Sequence, residues 1–161
     1  MTGVQTCALP IWPDVLKGSA IANAAGLVDV HANTLQHVKF PNVFGLGDAA
    51  ATANSKTAAA IRKQAPAVVQ NILRMIGKQS VQPDYDGYAS CPLTTHYGKV
   101  LMAEFIYGGK PTPTLPLDPR KERAVNWAIK KHGLPWLYWD YMLKGHEAFP
   151  GHDTGYVDPG A

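Results

Sequence analysis

Residues 42–48 read Asn42-Val43-Phe44-Gly45-Leu46-Gly47-Asp48, and the fold turns on this stretch. A β-type run ends in Gly-x-Gly-Asp. The glycines let the backbone turn tightly, and the carboxylate lands where a strand ends and faces a helix start. An aspartate there can accept hydrogen bonds from ligand hydroxyls. A plain turn-and-cap explains the four residues equally well. The combination of strand, Gly-x-Gly-Asp, short loop and small-residue helix is more specific.

The helix is the clearest local feature. Ser55 is the expected N-cap, because its hydroxyl can accept a first-turn amide. Ala58, Ile61, Ala65, Val68, Ile72 and Ile76 recur at helical spacing and predict one apolar face. Gly77 suits a left-handed residue after the last turn, and Pro66 should kink the middle. The first turn, Lys56-Thr57-Ala58-Ala59-Ala60, has small side chains that let a flat ligand approach. Its amides and partial positive charge suit an anionic ligand edge. An ordinary amphipathic helix with an alanine-rich start fits the same pattern.

Working outward, Gly26–Val30 and Asn42–Phe44 predict short strands at the edge of a larger sheet. After the helix come a polar linker, a turn-like Asp84-Tyr85-Asp86-Gly87 and a β-type run ending at Tyr107. Residues 108–161 open with Pro111, Pro113, Pro116 and Pro119 and continue as two short amphipathic helices.

These segments carry a resemblance. Residues 42–50, NVFGLGDAA, resemble the second FAD-contacting motif of the two-dinucleotide-domain flavoprotein disulfide reductases. Residues 34–66, TLQHVKFPNVFGLGDAAATANSKTAAAIRKQAP, narrow the likeness to the sulfide:quinone oxidoreductases. Residues 85–105, YDGYASCPLTTHYGKVLMAEF, narrow it to the branch that includes the mitochondrial enzymes. The resemblance implies an α/β flavoprotein, of which this chain would be a C-terminal α+β fragment ending in amphipathic helices. It implies FAD as cofactor. Gly47 and Asp48 would meet the ribityl chain, and Lys56, Thr57, Ala58 and Ala59 would point the helix start at the pyrimidine edge.

Cys91 precedes Pro92, so it should lie in extended or turn backbone, and an isolated cysteine is most often a small core residue. The resemblance implies more: Cys91 matches one of two redox cysteines whose bridge is attacked by sulfide. Its partner would lie upstream. Implied partners are sulfide, quinone and an unidentified sulfane-sulfur acceptor. His96 stands where several relatives carry glycine; it reads as a proton carrier or simply as a polar loop residue.

Composition sets the outer limits. Of 161 residues, 46% are hydrophobic and 17% charged, so a packed core is expected. A net charge of +3 is too weak to argue for nucleic acid but compatible with anionic lipid. Two cysteines, Cys7 and Cys91, cannot make a secreted disulfide framework. No apolar run reaches membrane-spanning length, and the start lacks the basic region of a secretory signal.

Leu134, Trp136, Leu137, Trp139, Tyr141, Met142 and Leu143 crowd one short stretch, with Lys130, Lys131 and Lys144 around it. That suits a helix lying in a membrane interface, with Trp136, Trp139 and Leu143 as its anchors. Packing of a last helix on the core is the competing reading. The expected location is peripheral, on a bacterial plasma membrane or the mitochondrial inner membrane. His146 to Asp153 superficially resembles a metal site, but Gly and Pro around it indicate a loop, and no metal is expected.

Three segments result: residues 1–11, which resemble a translated sequencing adapter and are set aside together with Cys7; 12–107, part of the FAD-binding and redox domain; and 108–161, membrane-associating helices and tail. Two other function classes stay open. One is a related membrane flavoprotein, either a type II NADH:quinone dehydrogenase or a flavocytochrome c-type sulfide dehydrogenase. The other is a noncatalytic membrane-associated module.

Overall fold

The computed structural model describes residues 14–146, and their contacts divide the chain after residue 89 into two units. The division falls inside the segment expected over 12–107. Residues 1–13 and 147–161, with Cys7 and most of the histidine-containing tail, lie outside the described residues.

The first unit holds one long helix, α1 (Ala58–Ile76). It starts later than expected. Thr57 is the N-cap, its hydroxyl accepting the amide of Ala60 at 3.2 Å. Ser55 lies two residues too early to do this. At the other end Gly77 has φ −75°, and Lys78 takes the left-handed conformation instead, at φ 56°. The amide of Gln79 reaches back to the carbonyl of Arg74 at 2.8 Å, closing the helix end around Lys78.

The buried face of α1 also differs from the expected one. It comprises Ala60, Lys63, Gln64, Ala67, Val68 and Asn71, while Ile61 and Ile76 face outward. The reason lies in what the helix packs on. Most of residues 14–57 is irregular chain whose backbone groups lack a ladder partner, and buried backbone must be paired. Polar side chains of α1 do that pairing. Asn71, fully buried, donates to the carbonyls of Thr34 and Gln82 and accepts the amide of Gln82. Arg74 ion-pairs with Asp84 nearby.

The expected strands shrink accordingly. Gly26–Val30 and Asn42–Phe44 make single bridges, Val28 to Ala22 and Ala50, Val30 to His37, and Phe44 to Gln36. Val28, Val30 and Ala50 form a small core lined by Leu16, Ile21 and Ala49. Gly45 lies against it so closely that an added Cβ would come within 3.0 Å of Val28. His37 ties the layer together: its Nδ1 accepts the amides of Lys39 and Phe40 at 2.9 and 3.1 Å. With Nδ1 accepting, Nε2 carries the proton and donates to the Ile21 carbonyl at 3.0 Å.

The second unit is built on a hairpin of β1 (Ala89–His96) and β2 (Lys99–Phe105). Tyr97 and Gly98 form the turn, Gly98 at φ 80°; so short a loop requires antiparallel strands. The proline-rich connector folds back along β2. Buried Glu104 accepts the Thr114 amide at 2.8 Å, and Arg123 exchanges backbone hydrogen bonds with Val100.

From Ala124 to Lys144 the chain forms one helical run rather than two separate helices. Ala124–Ala128 and Leu134–Trp136 are α-helical, Ile129–Gly133 and Leu137–Tyr141 are π turns, and Met142–Lys144 is a 3-10 turn. The Leu134 amide bonds the carbonyl of Ile129, five residues back. Pro135 has no amide to donate, so the regular i−4 ladder cannot run through it, and widened turns accompany it. The described residues are thus α+β, with a two-stranded sheet and helices.

Candidate functional site

The residues singled out in the sequence divide between the two units. Gly47, Asp48, Lys56, Thr57, Ala58 and Ala59 lie in the first; Cys91 and the Trp136–Leu143 segment lie in the second.

Gly47, Asp48 and Ala49 form a single 3-10 turn packed beside α1. Gly47 has φ 67°, where a side chain would be strained, and an added Cβ would sit 3.3 Å from Ile61. The turn is pinned by a residue the sequence pattern did not single out. Gln64, 1% exposed, accepts the Gly47 amide through Oε1 at 2.6 Å. Asp48 stays half-exposed at the surface of this turn.

Lys56 curls back over the loop. Its ammonium donates to the carbonyl of Ala50, and to the carbonyl and hydroxyl of Thr52 at 3.3 and 3.1 Å. Burial pushes it below the usual lysine range, and the Asp48 carboxylate opposes that shift. With the Lys56 side chain and the Thr57 hydroxyl engaged by the protein, the backbone amides at the start of α1 are what this end can offer a ligand. Thr57 takes the Ala60 amide, and helical geometry leaves those of Ala58 and Ala59 without carbonyl partners inside the helix. Asn54 adds a third feature. Its Nδ2 donates to the hydroxyl of buried Tyr85 at 2.7 Å, while its Oδ1 is buried without a hydrogen-bond partner. A half-exposed carboxylate and an unsatisfied buried acceptor suit ligand hydroxyl and N–H donors, and a helix start suits a negative edge, a combination that fits a flavin.

Cys91 is half-buried in β1, one residue before Pro92. The helical run is anchored on the same strand. Lys130 Nζ donates to the Pro92 carbonyl and the Thr94 hydroxyl, both at 2.8 Å. This departs from the expectation that Lys130 faces lipid: its charge is turned inward onto two oxygens of β1. Lys131 remains exposed, and Lys144 pairs with Asp140 at 3.3 Å on the surface. Trp136, Trp139 and Leu143 are 58%, 63% and 57% exposed.

His96 ends β1 with its ring outward, Nδ1 3.1 Å from Glu122. Lys99 also reaches Glu122, at 3.1 Å. Hydrogen bonds from Thr95, Lys99 and His96 hold the Glu122 carboxyl down at about 2, below its ordinary 4.5. A depressed folded-state value means that this clasp contributes fully above 4.5 and is lost as pH falls through about 2. Carbon NMR of the Glu122 carboxyl should therefore titrate near the lower value. A midpoint at the ordinary one would mean that the clasp does not form in solution.

Among the described residues no group of histidine, cysteine and carboxylate side chains could hold a metal, and no helix is long and apolar enough to cross a membrane.

No protein-family model matches the chain. Curated relatives do. The chain is 46% identical to the mitochondrial sulfide:quinone oxidoreductase of Mus musculus over 138 residues, 86% of this chain and 31% of the relative. The enzyme of the same name from Dictyostelium discoideum gives 46% over 84% of the chain and 30% of the relative. That from Schizosaccharomyces pombe gives 38% over 81% and 30%. The chain thus spans about three-tenths of the length of these oxidoreductases. Among solved structures, a chain in the cryo-EM structure of the Tetrahymena thermophila mitochondrial ATP synthase F1Fo composite tetramer is 35% identical, with a TM-score of 0.59. That match covers 63% of this chain and 24% of the other.

Proposed function

We propose, from the premise that this chain resembles the sulfide:quinone oxidoreductases over most of its length, that it is the C-terminal portion of such an enzyme. The whole protein would oxidise sulfide at a cysteine pair and pass two electrons through FAD to a quinone at a membrane surface. One observation carries the reading. A match of 138 residues within 161 cannot avoid both the Gly47–Asp48 turn and Cys91, the two places where flavin and sulfur chemistry are expected.

FAD, when bound, supplies the two-electron acceptor. The chain's own residues have narrower tasks. Asp48 offers carboxylate oxygens to ligand hydroxyls, and Gln64 fixes the turn that presents it. The first turn of α1, at Lys56 to Ala59, presents partial positive charge to a negative ligand edge. Cys91 supplies the sulfur. Exposed Ile61, Val69, Leu73 and Ile76 share one side of α1, as expected of a helix that the rest of a larger protein covers. The relatives are named mitochondrial, so of the two membranes expected above the mitochondrial inner membrane is the one we propose.

The test is made on the full-length protein. It should purify with flavin and reduce a soluble quinone when given sulfide. Asp48→Ala should weaken flavin retention by about tenfold or more, since a hydrogen bond to a charged group contributes roughly 1.5–3 kcal/mol. An Asp48→Ala protein with unchanged flavin content, spectrum and potential would remove Asp48 from the site.

One finding favours a second reading. A chain that shares this fold stands within a mitochondrial ATP synthase assembly, and a noncatalytic module of such an assembly is the second reading. Such a module would bind no flavin and oxidise no sulfide, so the same purification separates the two.

A further inference from the structure

We propose that Lys130 is a positioning residue for Cys91, a role that rests on the reading of Cys91 as the sulfur-handling cysteine. A lysine in a basic, aromatic-rich helical segment is expected to face solvent or lipid. This one does not. Its ammonium is partly buried and spends two donors on one strand, at the Pro92 carbonyl and the Thr94 hydroxyl, 2.8 Å each.

The two acceptors bracket the residues that follow the thiol. Pro92 is the next residue after Cys91, and its carbonyl defines the plane of the peptide leaving it. Pro92 has no amide to donate to a neighbouring strand, so β1 is weakened where Cys91 needs a fixed direction. Lys130 replaces the missing restraint from the helical side. Side chains alternate along a strand, so Thr94 lies on the opposite face from Cys91. Lys130 therefore holds the strand through a side chain on the face opposite Cys91.

The same contact ties the helical run that carries Trp136 and Trp139 to the strand that carries Cys91. A shift of that run would move the Pro92 peptide with it. Reaction rates of this kind depend on placing reacting atoms within about an ångström. A lost Lys130 contact should therefore show in the sulfur step specifically.

Lys130→Met keeps the apolar stem and removes the donors; Lys130→Arg restores them. In the full-length flavoprotein, Lys130→Met should slow sulfide-driven flavin reduction about tenfold or more in stopped flow. Quinone-driven flavin reoxidation and flavin content should stay at wild-type values, and Lys130→Arg should recover most of the rate. Thr94→Val, which removes one acceptor at constant shape, should slow the same step by a smaller factor. This second variant keeps the test valid if Lys130→Met fails to fold. Alkylation of Cys91 by iodoacetamide after reduction of the full-length protein, followed by mass spectrometry of its peptide, gives a readout that needs no activity. Its rate should change several-fold in Lys130→Met and not in Lys130→Arg.

Wild-type flavin reduction and alkylation in both Lys130→Met and Thr94→Val would overturn the positioning role. Equal slowing of both half-reactions would also overturn it, since that marks general damage. If Cys91→Ser itself keeps full sulfide turnover, the reading of Cys91 falls, whereas the alkylation rates still decide whether Lys130 orders this strand.

Discussion

In the full-length protein, Cys91→Ser is expected to cut sulfide-dependent quinone reduction to below about 1% of wild type, a barrier increase of roughly 2.7 kcal/mol or more, while FAD stays bound. The thiolate is the reactive form of cysteine, and an ordinary thiol, with pKa about 8.5, is mostly protonated at neutral pH. A sulfur enzyme escapes that limit by holding two cysteines as a bridge. Hydrosulfide attacks one sulfur; the old S–S bond breaks as a new one forms. One cysteine then carries a persulfide, and the other leaves as a thiolate whose electron pair can pass to the flavin. Serine oxygen can form neither the bridge nor the thiolate, so the loss should be nearly complete rather than partial. With Cys7 set aside among the adapter-like first eleven residues, Cys91 is the one cysteine left in the sequence, and the proposed partner sulfur would come from the rest of the protein. Near-normal turnover in Cys91→Ser would reduce Cys91 to a packing residue and break the link between this chain and sulfide chemistry.

How far the sequence carried this reading depends on which force shapes each residue. The Gly-x-Gly-Asp turn was legible because Gly47 needs positive φ, a demand that one residue type announces. The body of α1 was legible from its periodicity, but its buried face was not. Periodicity counts apolar residues and assumes an apolar partner. Here the partner is irregular chain, some of whose peptide groups bond to side chains of the helix, so Gln64 and Asn71 point inward and Ile76 is left 71% exposed. A signal was present in retrospect: Ala60, Lys63, Gln64, Ala67 and Asn71 also fall on one helical face, with small residues between long polar ones. The end of the helix misled for a related reason, since a glycine favours the left-handed position without compelling it, and Lys78 took it. Lys130 was misassigned because basic residues near aromatic ones were read as a lipid-facing set. Only the fold reveals that Pro92 leaves β1 one donor short beside it.

The exposed apolar residues of the helical run set the other large expected effect. Trp136, Trp139 and Leu143 lie within eight residues of one another near the end of the helical run. All three are more than half exposed, so replacing them should leave the hairpin and its packing undisturbed. Burying a large apolar side chain fully is worth roughly 1.5–3 kcal/mol, and an interfacial helix realises part of that for each residue it inserts. Exposed Lys131, and Lys144 through competition with Asp140, would add about 1 kcal/mol apiece on an anionic surface. Lys130 would add nothing, being held by β1. The full-length protein should therefore sediment with liposomes containing anionic lipid. The triple variant Trp136→Glu, Trp139→Glu, Leu143→Glu should stay in the supernatant, because it removes the apolar insertion and adds three negative charges facing lipid phosphates. Salt separates the contributions. At about 1 M the Debye length falls to roughly 3 Å, so the lysine contribution fades while the apolar one persists. Wild-type binding that weakens but survives high salt is the expected pattern. Equal sedimentation of wild type and triple variant would show that another surface meets the membrane, or that none does.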